Sequence, residues 1–229
     1  MHALSAPPRD DLSARVRVLV SLATLYLVWS STYLALRHLV AAAPPMLSGG
    51  ARFLVAGAML FALQRARGER PPERHTWGAA AVSGVLLFTL GNGLLSLAET
   101  RVGSGVAAVA YAATPLLVTA LSALGGERPR PREIVGIALG FAGVATLGAS
   151  ADIVSAGGRG LLLLVSPFVW AVGTVVARRA RPASSLTFAA QQMVCGGLAM
   201  LFVGAALGER VPAGLPTDAW AALAYLTPF

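Results

Sequence analysis

Residues 18–36 read VLVSLATLYLVWSSTYLAL. An α-helix rises 1.5 Å per residue, so a run of this length spans nearly all of a hydrocarbon core of about 30 Å. The pattern returns along the chain at Met46 to Gln64, Trp77 to Leu97, Gly103 to Leu124, Ile134 to Ala151, Gly160 to Ala177 and Thr187 to Leu207. An eighth apolar run starts near Asp218, and the sequence stops at Phe229. Segments of roughly 20 apolar residues in such a train predict an all-α polytopic membrane protein, a bundle of transmembrane helices in a lipid bilayer.

Composition agrees. Of 229 residues 56% are hydrophobic and 12% charged, and mean hydropathy is +0.70. The formal net charge of +8 does not imply nucleic acid, because the arginines sit in short connections between apolar runs, where they act as topology signals. Cys195 lies inside an apolar run, and His2, His38 and His75 are scattered without ligand spacing, so neither a disulfide nor a metal site nor another cofactor is implied. The first run has no small-residue cleavage pattern after it and reads as a retained helix, with residues 1–17 a cytoplasmic tail.

Arginine distribution sets the orientation. Arg9, Arg15 and Arg17 precede run one, Arg65, Arg67, Arg70 and Arg74 follow run two, Arg128, Arg130 and Arg132 follow run four, and Arg178, Arg179 and Arg181 follow run six. The alternate connections hold only Arg37, Arg101, Arg159 and Arg210. Short loops rich in arginine stay on the cytoplasmic side, which puts the N-terminus in the cytoplasm.

The chain also resembles itself. Leu27-Val28-Trp29 returns as Phe168-Val169-Trp170, Arg52 to Gly57 aligns with Gln192 to Gly197, and Gly68-Glu69-Arg70 aligns with Gly208-Glu209-Arg210. Trp77 and Trp220 then open runs three and eight. Five runs separate the copies, an odd number, so the second copy crosses the membrane in the opposite sense. Inverted repeats of this kind suit alternating access around a midplane site. The expected organisation is a first five-helix repeat over 18–152 and a second over 159–229, with two helices and the start of a third. By the repeat logic, a further 60 to 70 or so residues would complete it.

Leu97-Ala98-Glu99-Thr100, Gly105-Val106-Ala107-Ala108, Ala113-Thr114-Pro115-Leu116, Gly126-Glu127-Arg128 and the Gly136 to Gly143 segment together resemble the EamA domain of the drug/metabolite transporter superfamily. Trp29-Ser30-Ser31-Thr32-Tyr33 strengthens the likeness. The resemblance implies a ten-helix inner-membrane carrier built from two five-helix repeats, a secondary transporter that in many members exports amino acids, other metabolites or drugs. Family members often carry lysine in cytoplasmic loops; this sequence has none and uses arginine instead.

Candidate transport residues follow from polarity within the runs. Arg52 is an ionisable group inside run two, read either as a contact for an anionic substrate or as a structural interface arginine. Tyr26, Trp29, Ser30, Tyr33 and Arg37 follow helical three- and four-residue spacing and share a face of run one. Trp170 is the repeat counterpart of Trp29, with Thr174 four residues on. Asn92, between two glycines, and Gln191 and Gln192, opposite Arg52 in the repeat, either bond substrate or tie helices together. Pro115 removes the amide that would bond the Tyr111 carbonyl, predicting a hinge in run four beside Tyr111 and Thr114. The glycines of Gly136, Gly140 and Gly143 read as close packing, within the chain or across a homodimer. Glu99 and Arg101 read as a loop ion pair, with a gating or proton-coupling role for Glu99 as the alternative.

The runs contain no nucleophile with a base, no paired carboxylates and no phosphate-binding loop, so an enzyme is not expected. The remaining alternatives to a carrier of small molecules are a membrane subunit or adaptor without transport of its own, and an inactive fragment of a ten-helix transporter.

Overall fold

Prolines and glycines set most of the helix ends, as their backbone chemistry requires. The structure is a computed structural model and describes residues 9–69, 71–126, 129–148 and 154–228. Run one is α1 (Arg9–Ala42) and run two is α2 (Pro45–Ala66), which begins on a proline in its first turn. Run three is composite: α3 (Thr76–Gly84), a π-helical segment (Val85–Asn92) and α4 (Gly93–Glu99). Run four is split into α5 (Ser104–Tyr111) and α6 (Thr114–Leu124), and α7 (Pro131–Gly148), α8 (Gly158–Arg179), α9 (Ser185–Ala206) and α10 (Thr217–Leu226) follow. Every regular element among the described residues is helical, as expected of an all-α membrane bundle.

Six helical stretches are long and apolar enough to cross a membrane: Ala14–Ala42, Pro45–Ala66, Thr76–Glu99, Ser104–Leu124, Gly158–Arg179 and Ser185–Ala206. The fifth expected run, Ile134 to Ala151, corresponds to α7, whose first turn is the polar Pro131-Arg132-Glu133 and whose expected end lies outside the described residues. The expected tail over 1–17 does not stand apart, because residues 9–17 already belong to α1; residues 1–8 lie outside the described ones.

Two prolines within the spans have different consequences. At Pro115 the helix stops at Tyr111 and restarts at Thr114, so the expected interruption is present. At Pro167 helix α8 continues, and the Leu163 carbonyl that has lost its amide donor accepts instead from the Ser166 hydroxyl at 3.3 Å.

Two helices that the expected repeat would pair share several features. Helices α2 and α9 are both 22 residues long, and their limits differ by the same 140 positions at each end. Both close on a glycine in the left-handed region, Gly68 at φ 78° and Gly208 at φ 72°. The two helices pack on each other reciprocally. A Cβ at Gly57 would lie 3.1 Å from the Ala190 carbonyl oxygen, and one at Gly197 would lie 2.9 Å from that of Gly50. Gly57 and Gly197 stand 140 positions apart, as do Gly50 and Ala190, so the two contacts are reciprocal at that offset. Small residues allow the close backbone approach that packing in lipid rewards.

Span three crosses the same pair at its centre. Thr89 donates to the Gly196 carbonyl at 2.8 Å, Gln192 donates to Ser83 at 2.7 Å, and Thr76 donates to Gln191 Oε1 at 3.0 Å. Helix α8 packs along the composite span and α6, while α1 packs against α10, where the Ser31 and Tyr225 hydroxyls lie 2.6 Å apart.

Candidate substrate site

The aromatic residues of five spans converge in one row. On α1, Trp29 Nε1 donates to the Tyr33 hydroxyl at 3.3 Å, a bond that their i, i+4 spacing permits. Tyr33 meets Tyr111 of α5 edge-on at 6.0 Å between ring centroids, and Tyr111 meets Trp170 of α8 at 6.1 Å. Trp170 meets Phe88 of the π-helical segment at 6.1 Å, and Phe88 packs on Phe53 of α2 at 4.5 Å. The row ends at Arg52, whose guanidinium carbon sits 4.2 Å from the centroid of the Phe53 ring.

The π-helical register and the glycines around it place this row. The Tyr111 hydroxyl donates to the Gly91 carbonyl at 2.9 Å, and a Cβ at Gly91 would lie 2.9 Å from Trp170 Cε3. Only a bare backbone lets the indole lie against span three here. Single π-helical turns concentrate at functional sites, which fits the position of this one.

Two cavities flank the row. The smaller, of about 270 Å³, is lined by Trp29, Thr32, Tyr33, Arg52, Phe53, Phe88, Asn92, Tyr111 and Trp170. The larger, of about 690 Å³, is lined by Tyr26, Trp29, Ser30, Tyr33, Tyr111, Thr114, Pro115, Trp170, Thr174 and Arg178. Trp170, Thr174 and Arg178 are spaced by four on α8, so the larger cavity follows that helix toward the arginine-rich end of the bundle. At the opposite end, Leu36, Leu39, Ala43, Leu95, Ala98, Val102, Leu163 and Leu226 form a dense apolar plug.

Arg52 is the charge of the site. It is 5% exposed, and its Nε has no hydrogen-bond partner among the described residues. A guanidinium with unspent donors beside a cavity has the chemistry to bond a carboxylate or another anionic group. The His75–Glu73 salt bridge involves no residue that lines either of the two cavities.

Of the residues singled out in the sequence, Trp29, Tyr33, Arg52, Asn92, Tyr111 and Trp170 come together around the smaller cavity, and Ser30, Thr114 and Pro115 line the larger. Gln192 does neither; its amide is spent on Ser83 between spans three and seven. Arg37 leaves the shared face of α1 and donates to the carbonyls of Glu99 and Val102, closing the end of span three. The expected ion pair of Glu99 with Arg101 does not form: Arg101 is exposed, while Glu99 is 1% exposed with both carboxylate oxygens unpartnered among the described residues. Phe53 and Phe88 escaped the sequence reading, because lone phenylalanines in apolar runs look like any core residue.

Comparison with known proteins supplies the family. Residues 17–149 match the EamA-like transporter family, more than half of the chain. The chain belongs to the EamA-like transporter family. Among its relatives is YedA of Escherichia coli (strain K12), described as an uncharacterized inner membrane transporter, which is 34% identical over 210 residues, 91% of this chain and 69% of that protein. YvbV of Bacillus subtilis (strain 168), an uncharacterized transporter, is 28% identical over 225 residues, 94% of this chain and 68% of that protein. A solved crystal structure superposes with a TM-score of 0.63 at 25% identity, over 88% of this chain and 70% of that one. As an EamA-like transporter the chain is a membrane transport protein.

Proposed function

We propose that this EamA-like transporter is a secondary carrier of the bacterial inner membrane that exports a small carboxylate-bearing metabolite with an apolar ring or chain. The observation that carries the reading is Arg52, a buried guanidinium left with unspent donors at the end of an aromatic row. A carboxylate would take those donors while its apolar part lies against Phe88, Tyr111 and Trp170. The smaller cavity, at about 270 Å³, suits a ligand with one ring, below the usual range of about 300–1,000 Å³ for drug-sized pockets.

Direction and mechanism follow from the two ends. The larger cavity runs to Arg178 at the arginine-rich end, which the positive-inside rule makes cytoplasmic, while the apolar plug closes the other. A second difference accompanies it: the Glu209 carboxylate accepts from the Met46 and Leu47 amides at 3.1 and 2.8 Å, holding the α2 N-terminus at the plugged end. Its repeat partner Glu69 does not hold the α9 N-terminus, which Ser184 caps instead beside a cavity of about 450 Å³. Two repeats in different arrangements at the two faces support alternating access, each face in turn adopting the closed form.

Counterflow of radiolabelled phenylacetate into proteoliposomes tests the proposal. Saturable uptake, competed by other aromatic carboxylates and not by phenethylamine, is expected. Uptake no greater than in protein-free vesicles for carboxylates, or equal competition by the amine, would contradict it.

A further inference from the structure

A carboxylate inside the plug is chemically out of place. Glu99 ends span three, behind the buried Leu95 and Ala98 of its own helix and within electrostatic reach of Tyr33 and Tyr111; it is 1% exposed and has both oxygens without a hydrogen-bond partner among the described residues. The nearest cation, Arg37, is exposed and spends its Nη1 on backbone carbonyls, those of Glu99 itself and Val102. An ionised carboxylate without water or partner is among the costliest groups to bury, whereas its neutral acid form is far cheaper. The closed plug therefore requires a proton on Glu99, and opening the plug admits water that stabilises the anion.

We propose that Glu99 is a proton-binding latch of the gate opposite the arginine-rich end: it takes a proton from that face as the gate closes and returns it to that face as the gate opens. One proton moves on and off one carboxyl oxygen, so the latch sets the balance of gate states without carrying charge across the membrane. Acidity at that face holds the gate shut. This rests on the reading of the plug as a closed gate.

Other titratable groups lie at this end, among them Asp218 of α10, which is exposed and accepts from the Ala219 amide at 2.9 Å. Helix α1 brings Arg37, Tyr33 and the exposed His38, and α5 brings Tyr111, with Arg37, Tyr33 and Tyr111 within electrostatic reach of Glu99. Helix α8 brings Arg159, which donates to the Leu97 carbonyl and the Thr100 hydroxyl. On α2, Arg52 faces the substrate cavity, and the α2 N-terminus is held by Glu209. The π-helical segment carries no titratable side chain.

The test uses accessibility and needs no substrate. With Cys195 replaced by alanine and Val102→Cys placed in the plug, labelling by a membrane-impermeant maleimide is followed over a pH series, with and without Glu99→Gln. The thiol's own pH dependence cancels in the ratio of the two rates. Opening linked to loss of one proton should raise that ratio by up to about tenfold per pH unit. A ratio that stays flat would overturn the latch, since the pH response would then belong to Glu209, His38 or the label. A cysteine that never labels in either background would overturn the gate reading itself, and the latch with it.

Discussion

Replacing Arg52 by methionine separates a ligand contact from a structural arginine, because the two roles move stability and affinity in different directions. The side chain is 5% exposed and its compensation within the protein is the Phe53 ring at 4.2 Å, a cation–π contact of about 0.5–2 kcal/mol. Against this stands an insertion cost of about 2.5–3.5 kcal/mol for arginine deep in a bilayer. Arg52 is thus a net burden on the unliganded fold. Methionine keeps most of the stem volume, so Arg52→Met should leave the melting temperature unchanged or raise it. A hydrogen bond to a charged group contributes about 1.5–3 kcal/mol, and losing 2–3 kcal/mol weakens binding by roughly 30- to 150-fold. Arg52→Lys keeps the charge and loses the planar fork, which places it between. Trp29 and Trp170 line the cavity, so titrating their fluorescence with phenylacetate reads the affinity directly. Arg52→Met with unchanged affinity and a lowered melting temperature would refute the reasoning.

Further outcomes follow from packing. A Cβ at Gly196 would lie 2.5 Å from the Gly84 carbonyl oxygen, so Gly196→Ala should cost about 1–3 kcal/mol in thermal unfolding, while Gly105→Ala, facing open space in α5, should be neutral or slightly stabilising. Tyr111→Phe leaves the Gly91 carbonyl without its donor and should cost about 1–2 kcal/mol by the same assay, with ring packing on Trp170 preserved. Glu209→Gln should weaken the hold on the α2 N-terminus by about 0.5–2 kcal/mol and speed hydrogen exchange at the Met46 and Leu47 amides, with no change at α9.

Much of this architecture was legible because lipid imposes strict rules. Span lengths and the break at Pro115 each follow from a single local property of the chain. The matched residues of the expected repeat lie 140 positions apart, and α2 and α9 have limits at that same offset. What escaped depends on neighbours distant in sequence. Gln192 and Arg52 hold equivalent repeat positions, yet one is spent on Ser83 and the other faces a cavity, a difference set by what span three presents to each. Glu99 looked like a loop residue because Thr100 and Arg101 follow it; its burial comes with the packing of α4 on α1, whose Tyr33 lies within electrostatic reach of it. The π-helical segment has no signature beyond glycines that an ordinary helix also tolerates.

The most direct measurement is a crystal structure with 4-iodophenylacetate bound, with the iodine located by its anomalous signal. The iodine should lie among Phe88, Tyr111 and Trp170, with the carboxylate against the Arg52 guanidinium. An iodine peak beside Gln191 and Thr187 in the cavity near Ser184, with the aromatic row empty, would contradict the central claim that Arg52 and the row form the substrate site.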